Sequence, residues 1–237
     1  MVNLSVNINK IATLRNARGA DLPNLVQFAK DCERFGADGI TIHPRPDERH
    51  ITTQDVYDLA SVVQTEFNIE GYPDGRFMSL IKEVKPKQAT LVPDAPGVLT
   101  SDNGWNIEKN KDLLISTINA LRGLGVRSSI FVNADEESIH LARKVNADAI
   151  ELYTGPFAED FDHNRDAAVA KYAQAAEVAH DLGLRINAGH DLNLNNLAFF
   201  KEKVKHLSEV SIGHAIMSDA LYIGIENAIQ AYKNCLS

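Results

Sequence analysis

Acid–base and phosphate-binding side chains follow an apolar run in the stretch "GITIHPRPDERHI" (39–51). The apolar residues lead directly into His43 and Arg45, and His50 follows a few positions later. Imidazole groups exchange protons near neutral pH, and guanidinium groups present planar donor forks that match phosphate. This spacing therefore predicts proton transfer on a phosphorylated molecule.

Similar side chains lie at the ends of the other apolar runs. They are Asn7, Asn9 and Lys10, with Arg18 in the loop beyond, then Glu70, Glu151, His190, Asp191, Gly213 and His214. A single histidine at a strand end is more often structural than catalytic, but three that converge on one mouth favour function. Glu70 lies inside "FNIEGY", where a carboxylate is costly to bury unless it is paired. For Glu151 the sequence leaves open a role at the substrate or the orientation of a neighbouring histidine or arginine.

Eight apolar runs alternate with helical patterns along the chain. The predicted strands are 4–9, 39–44, 67–72, 89–94, 128–133, 149–154, 184–189 and 209–216. The predicted helices are 23–35, 53–66, 75–84, 107–123, 135–145, 165–182, 193–204 and 218–235. Glycines in "RFGADGI", "GLGVRSS" and "DLGLRIN" precede strands, as glycines that cap the C-terminus of a helix would.

Strict strand–helix alternation predicts a parallel sheet with crossover helices. An open doubly wound sheet and a closed (β/α)8 TIM barrel both fit that alternation. No glycine-rich dinucleotide fingerprint follows the first strand, and eight strand–helix pairs in 237 residues match the barrel. We therefore predict one α/β barrel domain over residues 1–237, with the polar strand ends gathered at one mouth.

Two groups of residues at this mouth have the chemistry of anion sites. Gly213 and His214 precede a helical stretch whose backbone N–H groups can hold a phosphate, and Arg45 with His50 forms a second basic group. Two such groups suggest two phosphorylated substrates or one bisphosphate. A metal site is not expected, because arginines are interleaved with the histidines and repel cations. Lys10 is the one candidate for a Schiff-base lysine, and it lies at a strand end.

Composition narrows the classes of partner. The net charge of −8 argues against a nucleic-acid partner, which would need a basic face. Cys32 and Cys235 have neither metal-ligand nor disulfide spacing. The sequence shows no signal peptide and no long apolar segment, so we expect a cytoplasmic protein with no membrane partner.

Seven motifs together carry a family resemblance. They are "VNINKIATLRNARG", "GADGITIHPRPDERHI", "NIEGYP", "LVPD", "IELYTGPFA", "INAGHDLN" and "SIGHAI", which occur in this order over nearly the whole chain. With them the chain resembles the pyridoxine 5′-phosphate synthases. The resemblance implies a barrel that condenses 1-deoxy-D-xylulose 5-phosphate with 3-amino-2-oxopropyl phosphate. It further implies release of pyridoxine 5′-phosphate, phosphate and water, no metal or organic cofactor, and a homo-octamer.

The resemblance also implies roles for individual residues. His43 and Glu70 correspond to proton acceptors, and His190 corresponds to the proton donor. The aminoketone phosphate would be held by Asn7, Arg18, Gly213 and His214, and the deoxyxylulose phosphate by Arg45, His50 and Thr100. Residues 95–106 form a long loop that contains Thr100, and we expect them to act as a lid over bound substrate.

The chain departs from the family pattern at two places. Asn9 and Lys10 stand where the family usually has Asp and His, and Asp191 stands where a glycine commonly follows the catalytic histidine. Two other functions stay open at this point. A sugar-phosphate isomerase or aldolase would need one phosphate site with a Schiff-base lysine or a metal. A non-catalytic sensor of a phosphorylated metabolite would leave His43, Glu70 and His190 without a role.

Overall fold

The computed structural model describes residues 1–94 and 103–237, and in it eight parallel strands close into a barrel. The strands are β1 (Asn3–Asn7), β2 (Gly39–Ile42), β3 (Glu66–Gly71), β4 (Gln88–Leu91), β5 (Arg127–Val132), β6 (Ala149–Tyr153), β7 (Arg185–Gly189) and β8 (Leu207–Ile212). Each strand pairs with the next in chain order, and β1 pairs with β8 through Ser5 and Ser211. This last pairing confirms the predicted (β/α)8 barrel and excludes the open sheet.

Helices surround the barrel. They are α1 (Asn9–Asn16), α2 (Leu25–Arg34), α3 (Thr53–Ala60), α4 (Gly75–Val84), α5 (Lys111–Gly123), α6 (Glu136–Lys144), α7 (Gly155–Asp181), α8 (Leu197–Lys203), α9 (His214–Ile223) and α10 (Ile225–Leu236). In the part of the chain that the structure describes, no helix combines the length and apolar character needed to cross a membrane.

The apolar core lies between the strands and the helices, and polar side chains fill the interior of the barrel. Leu4, Val6 and Ile69 are fully buried in that outer core. Inside the barrel, Thr41 Oγ1 accepts a hydrogen bond from Asn68 Nδ2 at 3.3 Å, and Thr90 Oγ1 donates to Asn68 Oδ1 at 3.0 Å. Because buried polar groups are costly unless they are paired, these cross-strand bonds make a polar interior possible.

The first strand ends two residues earlier than predicted. Asn7 Oδ1 accepts the backbone N–H of Asn9 at 3.1 Å, a local turn that competes with continued extension. Asn9 and Lys10 therefore lie in α1, which the sequence pattern did not predict, and the expectation that they end the strand is wrong.

Other boundaries also differ from the prediction. Helix α3 ends at Ala60 and not at 66, and β8 ends at Ile212, so His214 begins α9 and does not lie in the strand predicted as 209–216. Helix α7 begins at Gly155 and is interrupted at Asn164, whose side chain caps the part predicted from 165 by accepting the N–H of Ala167. Gly224 has a φ of 78° and divides the single predicted helix 218–235 into α9 and α10. The predicted glycine caps are confirmed: Gly36, Gly125 and Gly183 all have positive φ.

Candidate active site

A cavity of about 520 Å³ opens at the carboxyl ends of the barrel strands. The predicted site residues that line it are Asn7, Asn9, Lys10, His43, Arg45, His50, Glu70, Glu151, His190, Asp191, Gly213 and His214. Arg18 is exposed beyond α1 and is not among the lining residues. Thr100 and residues 95–102 of the predicted lid lie outside the described residues. The barrel thus brings together most of the side chains that the sequence singled out.

Glu70, His43 and Asn7 form a contact group on one wall. Glu70 Oε2 lies 3.9 Å from His43 Nδ1 and accepts a hydrogen bond of 3.5 Å from Asn7 Nδ2. The backbone N–H of His43 donates to Asn9 Oδ1 at 3.0 Å, which fixes the histidine where β2 ends. An imidazole and a carboxyl group at this separation can pass a proton between substrate and protein.

Burial sets the protonation of this group. Burial lowers the pKa of His43 well below its usual value, and the charge of Arg45 lowers it further. Burial raises the pKa of Glu70, and the nearby carboxylate of Asp94 raises it further. Among the described residues, no lysine or arginine lies within ion-pair distance of Glu70. Near neutral pH the neutral imidazole can accept a proton, and the carboxyl group of raised pKa beside it can hold a proton or pass it on.

Glu151 is a second buried carboxyl group on the cavity floor. Its side chain is 4% exposed, and burial followed by the charge of Glu70 raises its pKa. A Cβ added at Gly189 would collide with Glu151 Oε1 and lie 3.1 Å from the backbone oxygen of Ser211, so the Glu151 carboxyl group packs directly against the backbone of β7. Glu151 lines the cavity together with Glu70, and burial with mutual repulsion favours at most one negative charge on the two carboxyl groups.

His190 follows β7, which lies across the barrel from β3 and its Glu70. It has a φ of 97°, which is rare for a residue with a side chain, and it directly follows Gly189. Its Nδ1 lies 2.5 Å from Asp191 Oδ2, and the Tyr153 ring packs edge-on with centroids 5.3 Å apart. The sequence indicated Asp191 as a substrate contact, whereas the structure places its carboxylate on His190.

The amino end of α9 is one candidate anion site. Gly213 is the N-cap residue, and none of the described side chains caps this end of the helix. A Cβ at Gly213 would lie 3.1 Å from the backbone oxygen of Asn7, so the two strand ends approach as closely as glycine allows. Uncapped N–H groups beside His214 are suited to a phosphate.

The second basic group, Arg45 with His50, contains a neutral histidine and an arginine that already bonds a carboxylate. Arg45 is buried and bonds Asp94 Oδ2 through Nη2 at 2.7 Å. His50 Nδ1 accepts the N–H of Ile51 at 2.9 Å, which places its ring proton on Nε2. Burial and then the charge of Arg45 lower the pKa of His50 to about 4, so His50 is a neutral donor at pH 7.

The amino end of α3, which follows His50 along the chain, is not open to an anion. Thr52 Oγ1 accepts the N–H of Asp55, and Asp55 Oδ2 accepts the N–H of Thr52. Glu48 Oε1 accepts the N–H of Thr53 at 2.9 Å. The helix end is therefore already occupied by two carboxylates of the chain itself.

The sequence did not indicate several residues that line the cavity. They are Thr13, Arg49, Val92, Phe131 and Ser211. Phe131 and Val92 lie in apolar runs and carried no chemical signal, whereas Thr13 is brought in by the unpredicted helix α1. Within residues 1–94 and 103–237, no group of three or more histidine, cysteine or acidic side chains is arranged to hold a metal ion.

Comparison with known proteins gives the family. The model of a family described as "Pyridoxal phosphate biosynthesis protein PdxJ" matches residues 4–237. A protein of Parabacteroides distasonis named pyridoxine 5′-phosphate synthase is 55% identical over 237 residues, with both chains covered completely. A protein of Bacteroides thetaiotaomicron with the same name is 56% identical over 236 residues, again with complete coverage of both chains.

Solved structures show the same fold at low identity. Phosphoribosylanthranilate isomerase from Thermotoga maritima aligns with a TM-score of 0.63 at 13% identity, over 100% of this chain and 98% of its own. Thiamine phosphate pyrophosphorylase from Pyrococcus furiosus aligns with a TM-score of 0.65 at 12% identity, over 99% of this chain and 95% of its own. These structural similarities show the barrel fold alone, whereas the full-length sequence matches show the family. The chain belongs to the PdxJ family of pyridoxal phosphate biosynthesis proteins.

Proposed function

We propose that the chain synthesises pyridoxine 5′-phosphate, the activity for which its relatives are named, in the biosynthesis of vitamin B6. The two substrates are 1-deoxy-D-xylulose 5-phosphate and 3-amino-2-oxopropyl phosphate, and the other products are phosphate and water. The observation that supports this proposal is one cavity whose lining includes Arg45, His50, Gly213 and His214 together with His43, Glu70 and His190.

The side chains divide the work by position. The amine of one substrate condenses with the ketone of the other, and successive proton removals and eliminations then close an aromatic ring. His43 and Glu70 accept protons on one wall, and His190 donates a proton to a departing oxygen on the other. Glu151 lies on the floor, where its raised pKa lets it exchange a proton as charge develops.

The two phosphates are held at different sides of the mouth. The amino end of α9, with Gly213, His214 and Asn7, holds the aminoketone phosphate through backbone N–H groups. Arg45 and the neutral donor His50 hold the deoxyxylulose phosphate. We propose no lysine imine for this chemistry, because Lys10 is exposed on α1 and does not lie inside a strand.

The test is product formation from both substrates together. Purified protein should give the pyridine chromophore with stoichiometric free phosphate, and omission of either substrate should abolish both signals. Conversion of one substrate alone would indicate an isomerase or aldolase, and binding without turnover would indicate a sensor. Either result would reject the proposal.

A histidine substitution tests the role of the donor. His190→Asn should abolish turnover while phosphate binding is kept, because the ring does not belong to either anion group. His206→Asn is the matched control, since His206 also bonds a carboxylate, Glu177, at 3.3 Å but is exposed and does not line the cavity. Full turnover by His190→Asn would show that another group donates the proton.

We also propose a cytoplasmic homo-octamer. Leu221 and Tyr222 at the end of α9 are 80% and 90% exposed, and apolar side chains at such exposure are suited to burial between subunits. Sedimentation of the purified chain tests the assembly, and a monomer at micromolar concentration would reject it.

A further inference from the structure

The contact between His190 and Asp191 joins two neighbouring residues into a hydrogen-bonded pair. Asp191 Oδ2 lies 2.5 Å from His190 Nδ1, the short distance typical of a charge-assisted bond. The hydrogen bond from His190 lowers the pKa of Asp191, and the charges of His190 and His214 lower it further. Asp191 is therefore a carboxylate that accepts the Nδ1–H of the histidine.

Other groups act on this pair and its surroundings in different ways. Burial raises the pKa of Glu151 and the charge of His190 lowers it in part, while the charge of His214 helps to lower the pKa of Asp191 from the amino end of α9. The ring of Tyr153 packs edge-on and restricts rotation of the imidazole. A carboxylate oxygen 2.5 Å from Nδ1 selects the tautomer that carries a proton on that nitrogen.

The backbone at His190 is consistent with a selected geometry. A φ of 97° is costly for a residue with a side chain and persists where the surrounding structure enforces it. The side-chain contact with the next residue and the packing of Tyr153 both act on the ring in this conformation. The chain therefore holds His190 in a strained conformation in which its Nδ1 meets a carboxylate.

We propose that Asp191 is a positioning residue that holds the Nδ1–H of His190, so that the proton on Nε2 is the one delivered to the substrate. This inference rests on the proposed function. In the donating step the Nε2–H bond breaks and an O–H bond forms on the departing oxygen of the substrate. His190 is left neutral with Nδ1–H still on Asp191, and a proton taken from substrate at the opposite wall or from solvent restores it.

A carboxylate in a cavity for two phosphates has an alternative effect, which is repulsion of substrate. If Asp191 acted only in that way, its neutralisation would lower KM and leave kcat unchanged. If Asp191 positions the donor, its neutralisation lowers kcat and leaves KM nearly unchanged, because His190 acts in the chemical step. The two effects are therefore separated by steady-state kinetics.

The kinetic test uses Asp191→Asn and Asp191→Glu. The asparagine variant keeps the shape but offers both an acceptor and a donor to Nδ1, so the tautomer is no longer fixed. We expect its kcat to fall about tenfold to hundredfold, which is at most the lower end of the roughly 10²–10⁴-fold that general acid catalysis contributes. The glutamate variant should recover most of that loss. Glu177→Gln removes the carboxylate from the exposed pair with His206 and should leave both constants unchanged.

A second readout does not depend on turnover. In protein labelled with ¹⁵N-histidine, the ring signals of His190 are assigned by their loss in His190→Asn. The wild type should show a Nδ1-bound proton protected from exchange, and Asp191→Asn should lose it. An unchanged His190 signal, or a lowered KM with unchanged kcat, would overturn the proposal. A wild type that makes no pyridine product would instead reject the proposed function, and the ring signals would still report on the pair.

Discussion

The ion pair between Arg15 and Asp55 connects α1 to α3, and Asp55→Asn should break it. Arg15 bonds both carboxylate oxygens, at 2.5 Å through Nη1 and 2.8 Å through Nη2. The same guanidinium donates to the backbone oxygen of His50 at 3.3 Å, and Asn16 Nδ2 donates to that oxygen at 2.8 Å. The pair therefore supports both the fold and the position of His50, which we propose as a ligand of the deoxyxylulose phosphate.

The expected loss of stability follows from burial and geometry. The side chains of Arg15 and Asp55 are 12% and 11% exposed, so an unpaired guanidinium would remain largely buried. Breaking a buried pair costs about 3–5 kcal/mol, and partial exposure places this one near the lower end. We expect a decrease of about 3 kcal/mol in the free energy of unfolding. For a chain of this size that lowers Tm by about 6–12 °C.

The pH dependence gives a second check on the same pair. Burial alone would raise the pKa of Asp55, but hydrogen bonds from Arg15 and Thr52 outweigh it and lower the pKa below 3.8. A carboxylate with a lowered pKa contributes stability above its unfolded pKa and loses it as pH falls through the folded pKa. The difference between the wild type and Asp55→Asn should therefore stay constant from pH 8 to pH 5 and shrink below about pH 4.

Denaturant unfolding and steady-state kinetics measure the two consequences. Asp31→Asn is the matched control, because the Asp31–Arg34 pair lies on the surface and should contribute at most about 0.5 kcal/mol. The KM for deoxyxylulose phosphate should rise about threefold in Asp55→Asn, in keeping with the loss of one weak hydrogen bond of about 0.7 kcal/mol at His50. A destabilisation below 1 kcal/mol would show that the pair is not the buried tie described above.

Three further substitutions test separate parts of the site. Glu151→Gln should lower turnover, but its Tm should rise relative to that of the wild type as pH increases from 5 to 8. The reason is that the wild-type protein loses stability above the unfolded pKa of a buried acid whose folded pKa is raised. A Tm difference that does not change with pH would contradict the burial of Glu151 as a protonated acid. His50→Gln keeps a neutral hydrogen-bond donor, so it should raise the KM for deoxyxylulose phosphate less than His50→Ala does. Equal increases in KM for the two variants would indicate that His50 binds the phosphate as a cation. Gly213→Ala places a Cβ 3.1 Å from the Asn7 backbone oxygen. It should raise the KM for the aminoketone phosphate about tenfold, with a smaller effect on kcat. An unchanged KM would show that this phosphate binds elsewhere.

The strand order of this barrel could be predicted because each strand appears in the sequence as a short apolar run that a helical pattern follows. The pattern did not predict which residues within each apolar run face the barrel interior. Thr41 and Asn68 lie inside apolar runs, but their side chains form hydrogen bonds in a polar interior. Helix α1 was missed because a side-chain contact of Asn7, and not helix propensity, ends the strand before it.

The site could be predicted as a set of residues but not as a set of contacts. The carboxyl ends of parallel strands meet at one mouth, so His43, Glu70 and His190 were expected to converge. Which partner each side chain meets depends on rotamers and backbone conformation that the sequence does not display. The pairing of Asp191 with His190 and the occupied end of α3 are both of this kind.

The pairing of β1 with β8 has a consequence for the order of events during synthesis of the chain. The proposed aminoketone phosphate site takes Asn7 from the first strand and Gly213 from the end of the last, and these residues meet only across that pairing. Until β8 is in place, β1 and β7 are open edges that can pair with other chains. A nascent chain emerging from the ribosome therefore carries the first ligand of this site long before it can bind phosphate. Binding competence then arises in a single late step, together with closure of the barrel.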